Sequence, residues 1–125
     1  MNEHTYLQEL VSLTHHLGLV PVLHQLCQRN IRVQLRLKHS IRSTDIDELS
    51  LSVRSQNALR RAGLNTLGQV SEALSADTVA HIRNLGKKSL NEIKTKILCY
   101  AYDQLNDTEK QEFFRFVIQR NSSAH

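Results

Sequence analysis

Apolar residues recur at every third or fourth position along most of this chain, and this helical spacing constrains its fold more than any other feature. The first such series contains Leu7, Leu10, either Leu13 or Thr14, and Leu17. Gly18 can end the helix that this series predicts, because glycine readily adopts the left-handed conformation common after a helix.

Pro21 then fits the first turn of a second helix through Cys27, where its missing N–H needs no helical partner.

Capping residues predict further helices after residue 44. Ser52 is the expected N-cap of a helix through Ala62. Thr66 and Gln69 form a capping-box pattern for a short helix to Ala73.

Three more helices are predicted over residues 75–83, 87–102 and 108–119. Ser75 or Asp77 is the expected cap of the first, and Thr108 with Gln111 suggests the cap of the last. The protein is therefore expected to be mainly α-helical.

The segment over residues 31–37 departs from this pattern, because apolar and polar residues alternate along it. A period of two predicts a strand with one apolar face and one basic face. No second strand of similar quality is present in the sequence to pair with it. The segment is therefore either an extended linker or a candidate N-terminal strand that pairs with another chain, and we hypothesise a homodimer joined through residues 31–37.

The composition favours an intracellular globular protein. The chain has 125 residues, 40% of them hydrophobic and 22% charged, which suits one small domain with appendages. Its longest apolar run, residues 17–23, is far shorter than the roughly 20 residues of a membrane span. We expect no membrane contact, and the lack of a basic start argues against a secretory signal. We interpret Cys27 and Cys99 as reduced thiols of a cytoplasmic protein, with a disulfide as the alternative.

Positive charge is concentrated in the middle of the sequence. Residues 28–42 carry five bases and no acid, and residues 53–98 carry eight bases against three acids. Between them, residues 43–52 carry three acids and no base. A localised basic surface is typical of proteins that bind phosphate groups.

A cluster of donors lies at the predicted start of the helix over residues 87–102. Gly86 lets a backbone approach closely, Lys87 and Lys88 can neutralise an anion, and Ser89 can donate its hydroxyl. Two lysines there are slightly unfavourable for the helix dipole, unless a phosphate occupies the site. The alternative interpretation is a solvated helix start after a glycine turn.

A second cluster occupies the predicted helix that follows Ser52. Arg54, Asn57 and Arg61 are spaced so that they share one helical face. Arginine and asparagine together supply donors for phosphates and base edges. The alternative interpretation is an exposed polar face with no ligand.

Catalysis and metal binding find little support in the sequence. Seven histidines are scattered without a familiar ligand spacing, and no HExxH motif occurs. Asp45, Asp47 and Glu48 form an acidic cluster, but they precede a helix, where acids suit the dipole. We expect no enzyme activity, no cofactor and no metal.

Two stretches together resemble one known family. "IDELSLSVRSQNALRRAGLNTLGQV", followed by "NLGKKSLNEIK", is similar to the C-terminal domain of the bacterial RNA polymerase alpha subunit. The resemblance covers about residues 44–98. It implies a compact four-helix domain of the helix-hairpin-helix type that binds A·T-rich promoter DNA across the minor groove and contacts sigma factor and activators.

The resemblance also implies roles for individual residues. Arg54 would be the main DNA-binding residue in the minor groove, with Asn57 beside it. Gly86, Lys88 and Ser89 would hold the DNA backbone, and Glu92 would orient these donors. Independently of the family, narrow A·T-rich minor grooves attract arginine through their negative potential.

Some family features are missing from this sequence. An acidic position of the surface that contacts sigma factor is kept as Glu48, with Asp47 before it, but the next acidic position is Ser50. Arg83 stands where the family usually has proline. The large N-terminal assembly domain of the alpha subunit is absent, so the resemblance implies a free-standing relative with its own flanks.

The sequence therefore predicts a DNA-binding, transcription-associated protein in three parts. Residues 1–42 form an N-terminal extension, residues 43–102 the DNA-binding domain, and residues 103–125 a C-terminal helix and tail. One alternative is a protein-interaction module that binds polymerase, sigma factor or a regulator without DNA, with Asp47 and Glu48 as contacts. Another is an accessory protein of DNA repair or of a mobile element, which rests on fold analogy alone.

Overall fold

A computed structural model describes residues 2–27 and 37–122. The helices are α1 (Glu3–Leu17), α2 (Leu19–Cys27), α3 (Val53–Arg61), α4 (Leu67–Ser75), α5 (Lys87–Asp103) and α6 (Asp107–Ser122). Short 3₁₀ turns occur at His39–Ile41, Ile46–Leu49 and Val79–His81. The mainly α-helical prediction is confirmed for the described part of the protein. The candidate strand lies outside the described residues, except for Leu37.

Contacts divide the described residues into two compact units. We call residues 37–101 the central unit, and residues 2–27 with 102–122 the flanking unit. The sequence pattern suggested separate parts at residues 1–42 and 103–125, whereas the contacts group residues 2–27 with residues 102–122 and place residues 37–42 in the central unit. Helices that are far apart in sequence share one core here, and local patterns do not reveal such pairing.

The flanking unit is built from α1, α2 and α6, each of which contacts the other two. Its core consists of buried side chains from these helices and from Tyr102: Leu7, Leu10, Val11, Leu19, Val22, Leu23, Phe114 and Val117. The ring of Tyr102 meets Phe113 and Phe114 edge-on, with centroids 5.4 and 5.7 Å away. Burial raises the pKa of the Tyr102 hydroxyl to about 12. The exposed ion pair between Arg115 and Glu3 joins α6 to α1 at 2.8 Å.

The helix ends of this unit follow local chemistry. Gly18 ends α1, as the sequence predicted, with a positive φ of 89°, and its N–H donates to Thr14 O. The predicted cap of α6 is wrong, because α6 begins after Asn106 rather than at Thr108. Asn106 Oδ1 accepts from the Glu109 N–H at 2.8 Å, and the Glu109 carboxylate accepts from the Asn106 N–H at 3.0 Å. This reciprocal pair is a capping box that lies slightly earlier in the sequence than the predicted one.

The central unit is organised around an apolar core shared by α3, α4, α5 and the turn Ile46–Leu49. Its buried members are Ile46, Leu49, Leu59, Leu67, Val70, Ile93 and Ile97. Leu37 is half-buried and packs against this core. The helices of the unit therefore bury one apolar face each and leave the other face polar and exposed.

Helices α3 and α4 begin and end close to the predicted positions. The Ser52 hydroxyl accepts from the Ser55 N–H at the start of α3. Both bonds of the predicted capping box between Thr66 and Gln69 are present at the start of α4. These two helices therefore form where short-range hydrogen bonds satisfy their first N–H groups.

The expected helix over residues 75–83 is wrong. The structure has a 3₁₀ turn at Val79–His81 instead, and no side chain caps this turn. Asp77 adopts a left-handed φ of 59°, which interrupts helical geometry between α4 and the turn. The Ala73 carbonyl accepts from both the N–H and the hydroxyl of Thr78, at 2.9 and 3.2 Å, and this closes α4.

Short backbone pairing ties the start of the central unit to the connection between α3 and α4. The Ile46 N–H donates to Asn65 O at 3.0 Å, and the Leu67 N–H donates to Thr44 O at 2.9 Å. The Gly68 N–H donates to Arg42 O at 2.9 Å. A Cβ at Gly68 would lie only 3.0 Å from that same Arg42 oxygen.

We expect Gly68→Ala to destabilise the protein, although Gly→Ala within a helix usually stabilises by about 0.5–1 kcal/mol. The new methyl group would press on a backbone carbonyl that is held by a hydrogen bond, at a cost of about 1–3 kcal/mol. Urea unfolding of the full protein measures the change. Ser75→Ala, at the exposed end of the same helix, is the matched control and should shift stability by less than about 0.5 kcal/mol. A more stable Gly68→Ala variant would show that the Arg42 backbone moves freely.

Arg60 organises the acidic turn that precedes α3. Its Nη2 lies 2.7 Å from Asp45 Oδ2 and 3.0 Å from Asp47 Oδ1, and its Nη1 donates to Asn65 Oδ1 at 2.9 Å. The Gln56 side-chain amide also donates to Asp47. The hydrogen bond from Arg60 holds the pKa of Asp45 down at about 2, against a usual value of 3.8.

The depressed pKa of Asp45 predicts a pH-dependent stability. Because the folded-state pKa is below the usual 3.8, ionised Asp45 stabilises the fold above about pH 4, and this contribution is lost as the pH falls toward 2. Asp45→Asn keeps an acceptor for the Asp47 N–H and removes the charge. It should lower the melting temperature near neutral pH and make little difference near pH 2. In an Arg60→Gln background this pH dependence should shrink, and an unchanged dependence there would refute the assignment to Arg60.

Candidate nucleic-acid interface

Helix α3 has a buried face and an exposed, donor-rich face. Its buried residues are Ser55, Ala58 and Leu59. Arg54, Asn57 and Arg61 are exposed, as the helical spacing predicted. These donors share a face only because the segment is helical, so the cap at Ser52 and the burial of Leu59 position them.

The second predicted cluster forms the start of α5. Gly86, Lys87 and Lys88 are exposed, and Ser89 is half-buried. Asn84 adopts a left-handed φ of 68°, which turns the backbone into the helix. A Cβ built at Gly86 would meet no atom within 4 Å, so the approach to the helix start is open. The first N–H groups of a helix attract anions, and the two lysines reinforce that attraction.

The Glu92 carboxylate connects α5 to the start of α3. Glu92 Oε2 accepts from the Ser52 N–H at 2.9 Å, and Glu92 Oε1 accepts from the Ser52 hydroxyl at 2.8 Å. The buried Ser55 hydroxyl donates to the same Oε1 at 2.5 Å. The Ser55 bond is the main cause that lowers the pKa of Glu92, with smaller contributions from Ser52 and Lys96.

These bonds add partners that the family resemblance did not name for Glu92, whose implied role in DNA binding stays a prediction. The resemblance had Glu92 orient the donors at the start of α5, whereas its hydrogen bonds go to Ser52 and Ser55 at the start of α3. The two serines were missed as site residues, although Ser55 is part of the Val-Arg-Ser motif. Arg54 lies between them in the sequence, so the first turn of α3 is held to α5 on both sides of Arg54.

Part of the acidic turn before α3 already binds other residues of the central unit. Asp47 is bound to Gln56 and Arg60. Glu48 is exposed to solvent. The protein contacts expected of Asp47 and Glu48 stay a prediction.

Among residues 2–27 and 37–122, no group of three or more His, Cys, Asp or Glu side chains is placed to hold a metal ion. Nor does any helix in these ranges have both the length and the apolar character required to cross a membrane.

Residues 34–98 match the model of one protein family, the C-terminal domain of the alpha subunit of bacterial RNA polymerase. The protein belongs to this family. The matched region includes α3, α4, the start of α5 and every residue of the two donor clusters. The resemblance is therefore confirmed, and the described residues have a helical fold consistent with it.

Curated members of the alpha subunit family are similar to this protein. The DNA-directed RNA polymerase subunit alpha of Alkaliphilus oremlandii (strain OhILAs) is 36% identical over 97 residues, which are 78% of this chain and 27% of the relative. Those of Carboxydothermus hydrogenoformans and Clostridium botulinum (strain Hall) are 47% and 48% identical over 60 residues, 48% of this chain and 19% of each relative. The match thus spans between 19% and 27% of the length of these relatives. No solved structure matches the protein.

Proposed function

We propose that the central unit binds double-stranded DNA in a transcription-associated role. The supporting observation is the set of hydrogen bonds from the start of α3 to the Glu92 carboxylate of α5. The first turn of α3 carries Arg54, and the first turn of α5 carries the other donors. Two donor clusters on connected helix starts suit a ligand that presents several phosphates. Membership in the alpha C-terminal domain family supports the same function.

The two donor clusters contact different parts of the DNA in this proposal. The exposed guanidinium of Arg54 enters the minor groove, which is narrow and strongly negative in A·T-rich sequences. Asn57 contacts the groove beside it, and Arg61 extends the basic face. The donors at the start of α5 hold the backbone phosphates through N–H groups, charge and a hydroxyl; they are Gly86, Lys87, Lys88 and Ser89.

The partners beyond DNA follow from the relatives. The similar proteins are RNA polymerase alpha subunits, and we propose polymerase or sigma factor as a protein partner. The exposed Glu48 is the contact that this proposal uses, because the neighbouring Asp47 already binds Arg60. DNA binding is the function that the described geometry favours, since the donor clusters face solvent.

DNA binding should be weak and sensitive to salt. Contact with about three to five phosphates predicts a log–log slope of affinity against salt of roughly −3 to −4.5. The dissociation constant of one small module should lie in the range of about 10⁻⁴ to 10⁻⁶ M. Fluorescence anisotropy with matched A·T-rich and G·C-rich duplexes at several salt concentrations measures both. No binding to the A·T-rich duplex at low salt would favour the protein-interaction alternative.

Two substitutions should separate groove contact from phosphate contact. Arg54→Ala should remove most binding and any A·T preference, because it deletes the groove contact. Lys88→Ala should weaken binding to all duplexes alike and reduce the salt slope by about one. Arg120→Ala removes an exposed arginine of the flanking unit and is the matched control for loss of charge. Both DNA-binding variants should stay folded, and unfolding of Arg54→Ala would mean that its side chain is structural.

The homodimer through residues 31–37 stays a prediction that belongs to this proposal. A second DNA-binding unit in one particle would raise the effective concentration of a weak module. Light scattering of the full protein across a concentration series should show twice the monomer mass at high concentration. A protein that stays monomeric throughout would refute the dimer and leave the proposed DNA binding unaffected.

A further inference from the structure

Ser55 is a fully buried hydroxyl on a helix whose other polar residues largely face solvent. It has 0% of its surface exposed, whereas Arg54 before it and Asn57 after it are exposed. Its hydroxyl donates to Glu92 Oε1, which also accepts from the hydroxyl of the N-cap Ser52. A buried hydroxyl that is bound to a charged acceptor holds its helix turn in one position.

The chemistry of this contact suits a carboxylate. Three donors converge on Glu92, namely the Ser52 N–H and the hydroxyls of Ser52 and Ser55. An ionised carboxylate only accepts hydrogen bonds and has room for all three. A glutamine in its place could keep these contacts only if both serine hydroxyls turned from donating to accepting, and the bonds would no longer be strengthened by a charge.

We infer that Ser55 and Ser52 are positioning residues for DNA binding, because they fix the α3 turn that carries Arg54 against α5. This inference rests on the proposed DNA binding. Ser55 is buried and does not touch DNA. Its bond to Glu92 sets where the Arg54 guanidinium lies relative to the phosphate donors of α5, so that one duplex can meet both clusters at once. Preorganised donors bind more tightly than donors that must first be ordered.

The first experiment is DNA binding by Ser55→Ala in the full protein, measured by anisotropy at several salt concentrations. We expect the dissociation constant to rise roughly three- to tenfold, within the range of couplings between contacting residues. The salt slope should not change, since no phosphate contact is removed. Ser71→Ala removes a buried hydroxyl of α4 and is the matched control, with wild-type binding expected. If Ser55→Ala fails to fold, Ser52→Ala gives the same test from the exposed side of the contact.

A double-variant cycle separates positioning from general loss of stability. If Ser55 acts through Arg54, adding Ser55→Ala to Arg54→Ala should not weaken the residual low-salt binding further. An equal loss in both backgrounds would overturn the inference.

Glu92→Ala removes both the negative charge and the contact to the serines, and these two losses change DNA affinity in opposite directions. Removal of a negative charge close to DNA should by itself tighten binding, because a carboxylate repels phosphates. Loss of the contact to Ser52 and Ser55 should weaken binding instead, and this is the result we expect. Tighter binding by Glu92→Ala, or wild-type binding by Ser55→Ala, would overturn the positioning role while DNA binding stands. Failure of the wild-type protein to bind any duplex would overturn both.

Discussion

The Glu92 carboxylate is the interaction on which the candidate interface depends. The carboxylate lies in the second turn of α5 and binds Ser52 and Ser55 at the start of α3. These serines precede Glu92 by 40 and 37 positions in the sequence. Each of these helices alone would present a short row of donors to solvent. We propose that, once joined, the two rows of donors meet one duplex, one at its groove and the other at its phosphates.

The apolar core beneath the carboxylate makes this arrangement rigid. Leu59 from α3 and Ile93 from α5 are both fully buried in the core of the central unit, and Ile93 directly follows Glu92. The apolar residues bring the helices together by burial, which is not directional. The hydrogen bonds of Glu92 then select one arrangement of the two helix starts. The backbone bonds from Ile46 to Asn65 and from Leu67 to Thr44 hold the turn before α3 in place.

The local parts of this structure could be predicted from the sequence, because their causes are local. The capping box at Thr66 and the end of α1 at Gly18 each depend on residues within three or four positions. The helix expected after Ser75 fails because Asp77 adopts a left-handed φ, which the sequence pattern does not reveal. The start of α6 was missed because two capping patterns lie close together, and Asn106 makes the bonds.

The exposed residues of the candidate site could be predicted from the sequence, whereas its buried contact could not. Arg54, Asn57 and Lys88 stand out by residue type and spacing, and the structure places all three at the surface. The partnership of Ser55 with Glu92 is a contact between distant parts of the sequence, so no periodicity points to it. The same holds for Arg60, whose charge was counted among the bases of residues 53–98 but is bound to Asp45.

A titration of the ¹⁵N-labelled full protein with an A·T-rich duplex, followed by amide NMR spectra, tests the central claim most directly. We predict that the largest shift changes occur in two segments, residues 54–57 and residues 86–89, and that both saturate at the same DNA concentration. The flanking unit should change little. Shift changes confined to one of the two segments, or largest in the acidic turn Ile46–Leu49, would contradict an interface built from both helix starts.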